Sequence, residues 1–416
     1  MSPRSLCIRT VLGQIALVQS VKLKETFDCK KLLRLKKPSC VVSARSCCSM
    51  SGSVEDYKPP EWATKLTYIP KKRIHLAVAN TPIHTWKVPG LPADFSVSIK
   101  RDDLTGSALS GNKVRKLEFL MAEALGQGCS HVITCGGLQS NHCRAVALAA
   151  RQLGLTPHLF LRTDATDVKS VGCEGNMLLD RLCGSHIYLV PRRNPYLTHL
   201  KPRMEQLARK INTASGEGSY LIPVGGSNKT GLFGYITVFE ELMQQGALDN
   251  FDDLVFACGS GGTATGLALG NYLTGGKLRL HAIAVSDNAT YFYDHCDETL
   301  AEVGMGHLKS LDLLRVIDGH KGKGYGISSE DELEFIQQVA VKTAILLDPV
   351  YSGKTALGMV REIQNNPGAF LGRRVLFLHT GGIFGLFDGR MTPFLEQKQE
   401  QEPLIKMWPN IDDCPL

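Results

Sequence analysis

Short apolar runs that end in glycine turns alternate with helical patterns along most of this chain. Strands that alternate with helices form parallel sheets with helices packed on both faces. The predicted helices lie at 140–154, 175–184, about 199–213, 231–246 and 263–273. The predicted strands are HVITCGG, PHLFLRT, HIYLVP, SYLIPVGG, DDLVFACGSGG, LRLHAIAVS and RRVLFLHTGG, at 131–137, 157–163, 186–191, 219–226, 252–262, 278–286 and 373–382.

The predicted strands are more numerous than one compact sheet needs, so we expect an α/β fold with two sheets. Four of the strands end in glycine clusters, at 136–137, 225–226, 259–262 and 381–382. Ligands of open parallel sheets bind beyond the carboxyl ends of the strands. We therefore expect one cleft to receive all four glycine clusters.

The charge of the chain is concentrated at its N-terminus. Residues 1–50 contain ten Lys or Arg and two acidic residues, Glu25 and Asp28. Positions 51–416 then hold 37 basic and 38 acidic residues, a net charge of −1 against +7 for the whole chain. Because the body carries no basic excess that could hold a phosphate backbone, we expect no nucleic-acid partner.

The basic N-terminal segment is rich in Ser and Cys and has no continuous apolar stretch. It is typical of an organellar transit peptide rather than a secretory signal, and a disordered basic tail is the alternative. We predict a mitochondrial protein, with the chloroplast as the alternative. A shorter cytosolic form could start at Met50.

The spacing of the cysteines and the length of the apolar runs argue against a disulfide-rich protein, a zinc protein and a membrane protein. Five of the 13 cysteines lie in residues 1–50, and the remaining eight contain no C-x-x-C pair, so we expect reduced thiols and no metal site. Cys135 and Cys258 end predicted strands, where a free thiol packs as a small apolar group. No apolar run approaches the roughly 18 residues needed to cross a bilayer, so we expect a soluble protein without a membrane partner.

The segment SGNKVRKLEFL contains three basic residues at the start of a predicted helix. At helical spacing Lys113 points along the apolar face formed by Leu117 and Leu120, whereas Arg115 points nearly opposite and Lys116 to the side. Burial at a helix N-terminus lowers the pKa of an amine and makes it nucleophilic. The alternative is a lysine that reaches solvent at the helix end. We interpret Arg115 and Lys116 as surface charges.

The segment CGSGGTATG follows an apolar strand and opens a helix, an arrangement whose backbone N–H groups can bind a phosphate. It also fits the loose dinucleotide pattern G-x-G-x-x-A at Gly259, Gly261 and Ala264. That pattern calls for an acidic residue about 20 positions further on. The nearest candidate is Asp287, which is 28 residues past Gly259. A strand-to-helix turn without a ligand is the remaining alternative.

Other polar side chains fall at the predicted cleft. GGLQSNHCR offers Ser140, Asn141 and His142 at a strand-to-helix turn, where Ser and Asn are also ordinary helix N-caps. We do not expect His142 alone to be a general base. The remaining candidates are Tyr325 in KGKGYG, Tyr351 and Ser352 in DPVYSGK, and Thr380 in HTGG.

Together these segments resemble the pyridoxal-phosphate enzymes of fold type II, specifically the 1-aminocyclopropane-1-carboxylate deaminase and D-cysteine desulfhydrase family. The resemblance covers about residues 60–390. It implies two open twisted parallel-sheet domains, similar to the tryptophan synthase β subunit, with the cofactor in the cleft between them. It also implies a homodimer. The implied parts are a large domain from 51–115 and 226–398, a small domain from 116–225 and a tail from 399–416.

By this resemblance Lys113 would bind pyridoxal phosphate covalently, and its amine would act as a base. Ser140 would lie over the substrate, which Tyr325 and Tyr351 would flank. Asn141 would bond the ring hydroxyl of the cofactor, and the backbone of 259–263 would hold its phosphate. The implied cofactor-binding residues are Lys113, Asn112, Asn141, Gly259, Ser260, Gly261, Gly262, Thr263, Ser352 and Thr380.

Two positions separate this chain from the ring-opening deaminases of the family, which carry Glu in place of Ser352 and Leu in place of Thr380. A carboxylate beside the pyridine ring favours its protonated form, whereas hydroxyls leave the ring neutral and a weaker electron sink. A weaker sink suffices when the leaving group is as good as thiolate. The resemblance therefore implies α,β-elimination on D-cysteine, giving pyruvate, hydrogen sulfide and ammonia, and the D preference comes from it alone.

Three alternatives remain open on the sequence. One is 1-aminocyclopropane-1-carboxylate deamination, and another is a nicotinamide-dependent oxidoreductase that uses GSGGTA. The third is a module that binds pyridoxal phosphate or another phosphate ligand without turnover. In each case the expected partner is a small molecule.

Overall fold

The computed structural model describes residues 53–409, which belong to one compact unit. The predicted N-terminal targeting segment and the end of the predicted tail lie outside the described residues. The strands are β1 (Val54–Asp56), β2 (Lys72–Ile74), β3 (Ile83–Thr85), β4 (Ser96–Lys100), β5 (Cys129–Gly137), β6 (Thr156–Thr163), β7 (His186–Pro191), β8 (Gly218–Leu221), β9 (Asp253–Cys258), β10 (Arg279–Ala284), β11 (Arg315–Ile317) and β12 (Arg374–Leu378).

Helices follow most of the strands, as the alternating pattern predicts. They are α1 (Lys113–Gly126), α2 (Asn141–Gln152), α3 (Gly175–Leu182), α4 (Lys201–Ser215), α5 (Lys229–Gln244), α6 (Ala247–Asn250), α7 (Gly262–Leu273), α8 (Ala289–Glu302), α9 (Ser310–Leu313), α10 (Glu330–Thr343), α11 (Ser352–Asn365) and α12 (Met391–Gln401). No helix among residues 53–409 is both long and apolar enough to cross a bilayer.

The larger sheet has six strands in the order β11-β10-β9-β12-β4-β3. Its central strand β9 is buried along its whole length, which is typical of a parallel strand covered on both faces. Val255 points to a core shared with α10 and α11, whereas Leu254 and Phe256 point to a core shared with α5 and α7. This alternation explains why the sequence is apolar throughout the strand.

The smaller sheet has four parallel strands in the order β7-β6-β5-β8. One face packs on Met204 of α4 and on Leu200, the residue just before that helix, and the other packs on α1 and α2. The prediction of two sheets is therefore confirmed. All four strands lie within the predicted small domain, 116–225, and the domain boundaries themselves stay a prediction.

The structure differs from the predicted elements in several places. Strand β3 is antiparallel to β4, so the larger sheet is not wholly parallel, and β1 and β2 form a separate antiparallel pair. The strand predicted at 219–226 ends at Leu221, because Pro223 has no N–H and Gly225 has a φ of +65°. Helix α12 continues three residues into the predicted tail, to Gln401.

Candidate active site

A cavity opens where β9 and β12 end and where α1, α2 and α7 begin. The space is about 430 Å³ when the solvent at its open mouth is included. Three of the four predicted glycine clusters meet here, since Gly225 lies beside Ser260 and Lys113. The lining residues are Asn112, Lys113, Asn141, Ala257, Cys258, Gly259, Ser260, Gly261, Thr263, Ala264, Tyr351, Thr380 and Gly381.

Lys113 is the first residue of α1, and its half-buried side chain lines this cavity. Burial lowers the pKa of its amine to about 8. Among the described residues the amine has no hydrogen-bond partner and no carboxylate partner. Its neighbour Asn112 connects the start of α1 to the segments after β12 and β9, which also line the cavity. The backbone N–H of Asn112 donates to the Thr380 carbonyl (3.0 Å), and its side-chain amide donates to the Thr263 hydroxyl (3.3 Å). Lys113 is therefore aimed at the cavity by a fixed backbone.

The glycine loop before α7 forms the wall opposite Lys113. Gly261 has a φ of +82°, and a Cβ there would overlap the His295 ring. A Cβ at Gly259 would lie 2.8 Å from the Tyr351 ring. The first-turn N–H groups of α7 have no acceptors within the helix, and the N–H of Gly262 donates to the Ser227 hydroxyl at 3.2 Å. The loop thus leaves a cradle lined by N–H groups, which suits a phosphate.

Lys116 adjoins the same cradle, and its interpretation as a surface charge is wrong. The side chain is 1% exposed, and its amine donates to the Gly225 carbonyl and to the Ser227 hydroxyl, both at 3.3 Å. Burial, and then the charge of Lys113, lowers its pKa well below the ordinary value. No carboxylate among the described residues pairs with it. A buried amine at this place favours an anionic ligand.

Arg115 is also buried, at 1% exposure, so its interpretation as a surface charge is wrong as well. Its guanidinium donates to Asp102 (2.7 Å) and to Glu241 (2.8 Å), and Glu241 also pairs with Lys100. The two cations Arg115 and Lys100 thus balance the two carboxylates of Asp102 and Glu241 beside the first turn of α1. Helical phase failed because α1 packs against several elements, α5, α2 and β2 among them, and has no solvent face at Arg115.

The turn between β5 and α2 brings Asn141 to the cavity, whereas Ser140 and His142 do not line it. The Ser140 hydroxyl caps α2 by accepting from the Cys143 N–H at 3.2 Å, which leaves its own proton free to donate. His142 lies 2.9 Å from the Thr134 hydroxyl, and burial lowers its pKa well below the ordinary value. It is therefore neutral.

Tyr351 lines the cavity, and Tyr325 stands behind it. Their hydroxyls are 2.5 Å apart, and burial raises the pKa of each. Tyr325 also reaches the fourth glycine cluster, since a Cβ at Gly137 would lie 3.8 Å from its ring. Both hydroxyls remain protonated near neutral pH and can act as hydrogen-bond donors.

The two hydroxyls that, by the resemblance, separate this chain from the ring-opening deaminases are placed differently. Thr380 lines the cavity, and its hydroxyl has no partner among the described residues. Ser352 lies outside the lining. Its hydroxyl donates to the Asp348 carboxylate and accepts from the Asp348 N–H, both at 2.7 Å. The proton of Ser352 is thus already used, and Thr380 is the hydroxyl available to a ligand.

These groups fit pyridoxal phosphate on the geometry alone. Lys113 supplies an amine without a partner, the loop 259–263 and Lys116 supply donors for a phosphate, and Asn141 and Thr380 supply polar contacts for a ring. They do not fit a dinucleotide as well, since Asp287, the acidic residue that such a ligand calls for, is exposed and does not line the cavity. Lys116 and Asp348 lie within the quoted segments SGNKVRKLEFL and DPVYSGK, but the sequence did not reveal their roles, because neither segment shows which of its residues are buried beside the cavity.

Comparison with known proteins agrees with this fit. Residues 74–381 match the family model described as pyridoxal-phosphate dependent enzyme. A mitochondrial protein of Arabidopsis thaliana, the bifunctional D-cysteine desulfhydrase/1-aminocyclopropane-1-carboxylate deaminase, is 44% identical over 354 residues, which cover 83% of this chain and 88% of the relative. The dinucleotide-dependent oxidoreductase is therefore not favoured.

Solved structures show the same fold. The crystal structure of a homologue of 1-aminocyclopropane-1-carboxylate deaminase superposes with a TM-score of 0.66 at 32% identity, covering 78% of this chain and 95% of that chain. An O-ureido-L-serine synthase, at 16% identity and a TM-score of 0.53, covers 76% of this chain and 93% of its own. The second likeness extends to the fold alone. This chain belongs to the family of pyridoxal-phosphate dependent enzymes.

Proposed function

We propose that this enzyme catalyses α,β-elimination on D-cysteine, in which D-cysteine and water give pyruvate, hydrogen sulfide and ammonia. The observation that carries the proposal is the free Thr380 hydroxyl in the cavity. By the family resemblance, ring-opening deaminases have Leu at this position. A hydroxyl beside the pyridine nitrogen leaves the ring neutral, which suffices for thiolate as the leaving group. The name of the Arabidopsis relative supports the substrate and its D configuration.

The cofactor would be held by residues from three segments of the chain. Lys113 would bind it covalently, and the backbone from Gly259 to Thr263, with Ser260, Gly261 and Gly262 between them, would hold the phosphate together with Lys116. Asn112 and Asn141 would face the ring. When bound, pyridoxal phosphate withdraws electrons from Cα of the substrate, which makes the proton on Cα acidic.

Lys113 would also move the Cα proton. In this role its Nζ would be a free amine in a site where burial disfavours the ammonium form. A base with a pKa of about 8 accepts a proton efficiently near neutral pH. As the Cβ–S bond breaks, the same amine can pass that proton to the departing sulfur, which leaves as hydrogen sulfide.

Tyr351, Tyr325 and Ser140 would orient the substrate. Because burial raises the pKa of both tyrosines, Tyr351 can donate a hydrogen bond to the substrate while Tyr325 holds its hydroxyl in place. The Ser140 proton and the N-terminus of α2 favour the substrate carboxylate. Of the two hydroxyls, Thr380 rather than Ser352 would be available to the pyridine nitrogen, because the Ser352 proton is donated to Asp348.

Deamination of 1-aminocyclopropane-1-carboxylate is a second candidate activity. The name of the Arabidopsis relative includes it, and so does that of the structural neighbour at 32% identity. A single protein can carry both activities if the same cavity admits a small α-amino acid with either leaving group. The free Thr380 hydroxyl in the cavity favours D-cysteine as the better substrate.

Product analysis separates these activities. The purified protein is incubated with D-cysteine, L-cysteine or the cyclopropane acid, and sulfide, pyruvate and ammonia are measured. We expect sulfide and pyruvate in equal amounts from D-cysteine, and much less from L-cysteine. Ammonia from the cyclopropane acid without sulfide from D-cysteine would overturn the first proposal and support the second. Ammonia from none of the three would overturn both.

We also propose a mitochondrial location and a homodimer. The basic segment 1–50 and the mitochondrial relative support the location, and the family resemblance supports the dimer. A fluorescent protein fused behind residues 1–50 should enter mitochondria, and light scattering should give the mass of two chains. Fluorescence in chloroplasts or cytosol, or the mass of one chain, would contradict these statements.

A further inference from the structure

Asn176 is a buried amide behind the cavity that the catalytic scheme does not use. It is the second residue of α3 and is 0% exposed. Its Nδ2 donates to Oδ1 of Asn141 at 2.9 Å and to the backbone carbonyl of Gln139 at 3.2 Å. Its Oδ1 accepts from Nε of Arg144 at 3.3 Å. The Asn176 amide therefore connects three groups around the turn that presents Asn141.

The orientation of this amide is fixed by groups whose polarity cannot change. A guanidinium only donates, and a backbone carbonyl only accepts. A flipped Asn176 amide would put its NH₂ against Arg144 and its oxygen against the Gln139 carbonyl, which replaces two hydrogen bonds with two repulsions. The assignment of Nδ2 toward Asn141 thus follows from chemistry and does not depend on telling nitrogen from oxygen.

The same reasoning passes on to Asn141. Because Asn176 donates a hydrogen bond to Asn141, the Oδ1 of Asn141 must be the acceptor. The Nδ2 of Asn141 then faces the cavity that Asn141 lines. This Nδ2 has no partner among the described residues. The cavity therefore receives a hydrogen-bond donor at this position and no acceptor.

The turn and the helix that hold this chain of amides are tightly connected. Arg144 is 1% exposed and also donates to the carbonyls of Ala108 (2.5 Å) and Ser110 (3.1 Å), in the loop before Lys113. Gln139 bridges the start of α3, since its Oε1 accepts from the N–H of Asn176 at 2.9 Å and its Nε2 donates to the Glu174 carbonyl at 3.0 Å.

We propose that Asn176 is a positioning residue: oriented by Arg144, it holds the Asn141 amide with its NH₂ toward the cavity, as a donor to the ring oxygen of pyridoxal phosphate. The inference rests on the proposed role of Asn141 at the cofactor. A donor at the ring oxygen stabilises negative charge on that oxygen. It would therefore lower the pKa of the nearby nitrogen that joins Lys113 to the cofactor. Losing the donor raises the pH at which that nitrogen loses its proton.

The test is the pH midpoint of the visible absorption band of the holoenzyme. In Asn176→Asp the new carboxylate still faces Arg144 but can only accept, so Asn141 turns its NH₂ away from the cavity. We expect the midpoint to rise by about one to two pH units, the size of a lost hydrogen bond to a charged oxygen. In Asn176→Leu the Asn141 amide can take either orientation, so the rise should be smaller but not zero. Asn212→Asp, at an exposed position of α4, should leave the midpoint unchanged.

A purely structural role predicts the opposite order, because leucine removes every hydrogen bond of Asn176 whereas aspartate keeps the one to Arg144. The inference is therefore overturned if Asn176→Leu shifts the midpoint as much as Asn176→Asp, or if neither variant shifts it. Melting temperatures recorded beside the spectra should show the aspartate variant to be the more stable of the two.

A double variant separates this inference from the role of Asn141 itself. Asn141→Ala should raise the midpoint, and adding Asn176→Asp to it should cause no further rise. If the Asn176→Asp proteins do not fold, Asn176→Leu is used in the same comparison and its shift must vanish in the Asn141→Ala background. A further rise in the double variant overturns the positioning role alone, whereas an unchanged midpoint in Asn141→Ala overturns the proposed role of Asn141.

Discussion

Replacing Arg115 by methionine should destabilise the protein strongly, although Arg115 touches no ligand. The guanidinium lies between Asp102 and Glu241, and the three side chains are 1%, 0% and 6% exposed. Removing one partner of a buried ion pair costs about 3–5 kcal/mol, since the carboxylates left behind are uncompensated. Lys100 remains as the single cation for two anions.

The magnitude can be converted into a melting temperature. Unfolding about 360 residues at about 2.1 cal/mol/K per residue has an entropy of about 0.75 kcal/mol/K. A loss of about 3–5 kcal/mol then lowers Tm by about 4–7 °C. Arg361→Met is the matched control, because Arg361 forms one ion pair, with Asp331 at 2.6 Å, in which the side chains are 45% and 58% exposed. It should lower Tm by at most about 1 °C.

The assay is thermal unfolding of the holoenzyme, followed by circular dichroism at one fixed scan rate. Arg115→Met combined with Glu241→Gln leaves Lys100 and Asp102 as a balanced pair, so the double variant should lose less than the sum of the two single losses. Charge balance is refuted as the reason for burial if the losses simply add, or if Arg115→Met melts like Arg361→Met.

The cofactor site gives three further expectations. Gly261→Ala should weaken the affinity of the apoprotein for pyridoxal phosphate by about tenfold or more, because a Cβ would overlap a histidine ring, whereas Gly275→Ala, with a φ of +103° but open space, should not; equal affinities would contradict this. Uptake of the cofactor should accelerate with rising pH around a midpoint near 8, since only the neutral Lys113 amine is nucleophilic, and a flat profile of absorbance growth across about two pH units would contradict this. Tyr325→Phe should lower kcat about tenfold in the sulfide assay while cofactor affinity is unchanged, because the Tyr351 hydroxyl loses its partner; an unchanged kcat would refute this role.

The parts of the fold that could be predicted are those with strong local patterns. Strands β5, β6, β7, β9, β10 and β12 lie where the apolar runs predict them, and the glycine turns after β9 and β12 meet at the cavity. The strands that were missed, β3, β4 and β11 in the larger sheet, have three to five residues. Runs of this length carry too few residues to reveal a period.

The burial of Arg115 and Lys116 could not be predicted because it depends on distant partners. Glu241 is 126 residues from Arg115, and Gly225 is 109 residues from Lys116. Helical phase predicts which face of a helix is apolar, but it does not tell how many sides of the helix are covered. The sequence also could not separate Ser352 from Thr380, although Asp348 is only four residues from Ser352, because the backbone turn that brings the Asp348 carboxylate to the Ser352 hydroxyl is seen only in the structure.

The most direct test of the whole account is a visible spectrum of Lys113→Ala together with sulfide release from both cysteine enantiomers. Lys201→Ala is the matched control, because Lys201 is also the first residue of a helix but is exposed. We expect the wild type and Lys201→Ala to have the absorption band of a lysine-bound cofactor and to release sulfide from D-cysteine. Lys113→Ala should lack both the band and the turnover. A Lys113→Ala protein that keeps both would contradict the assignment of Lys113 as the residue that binds the cofactor.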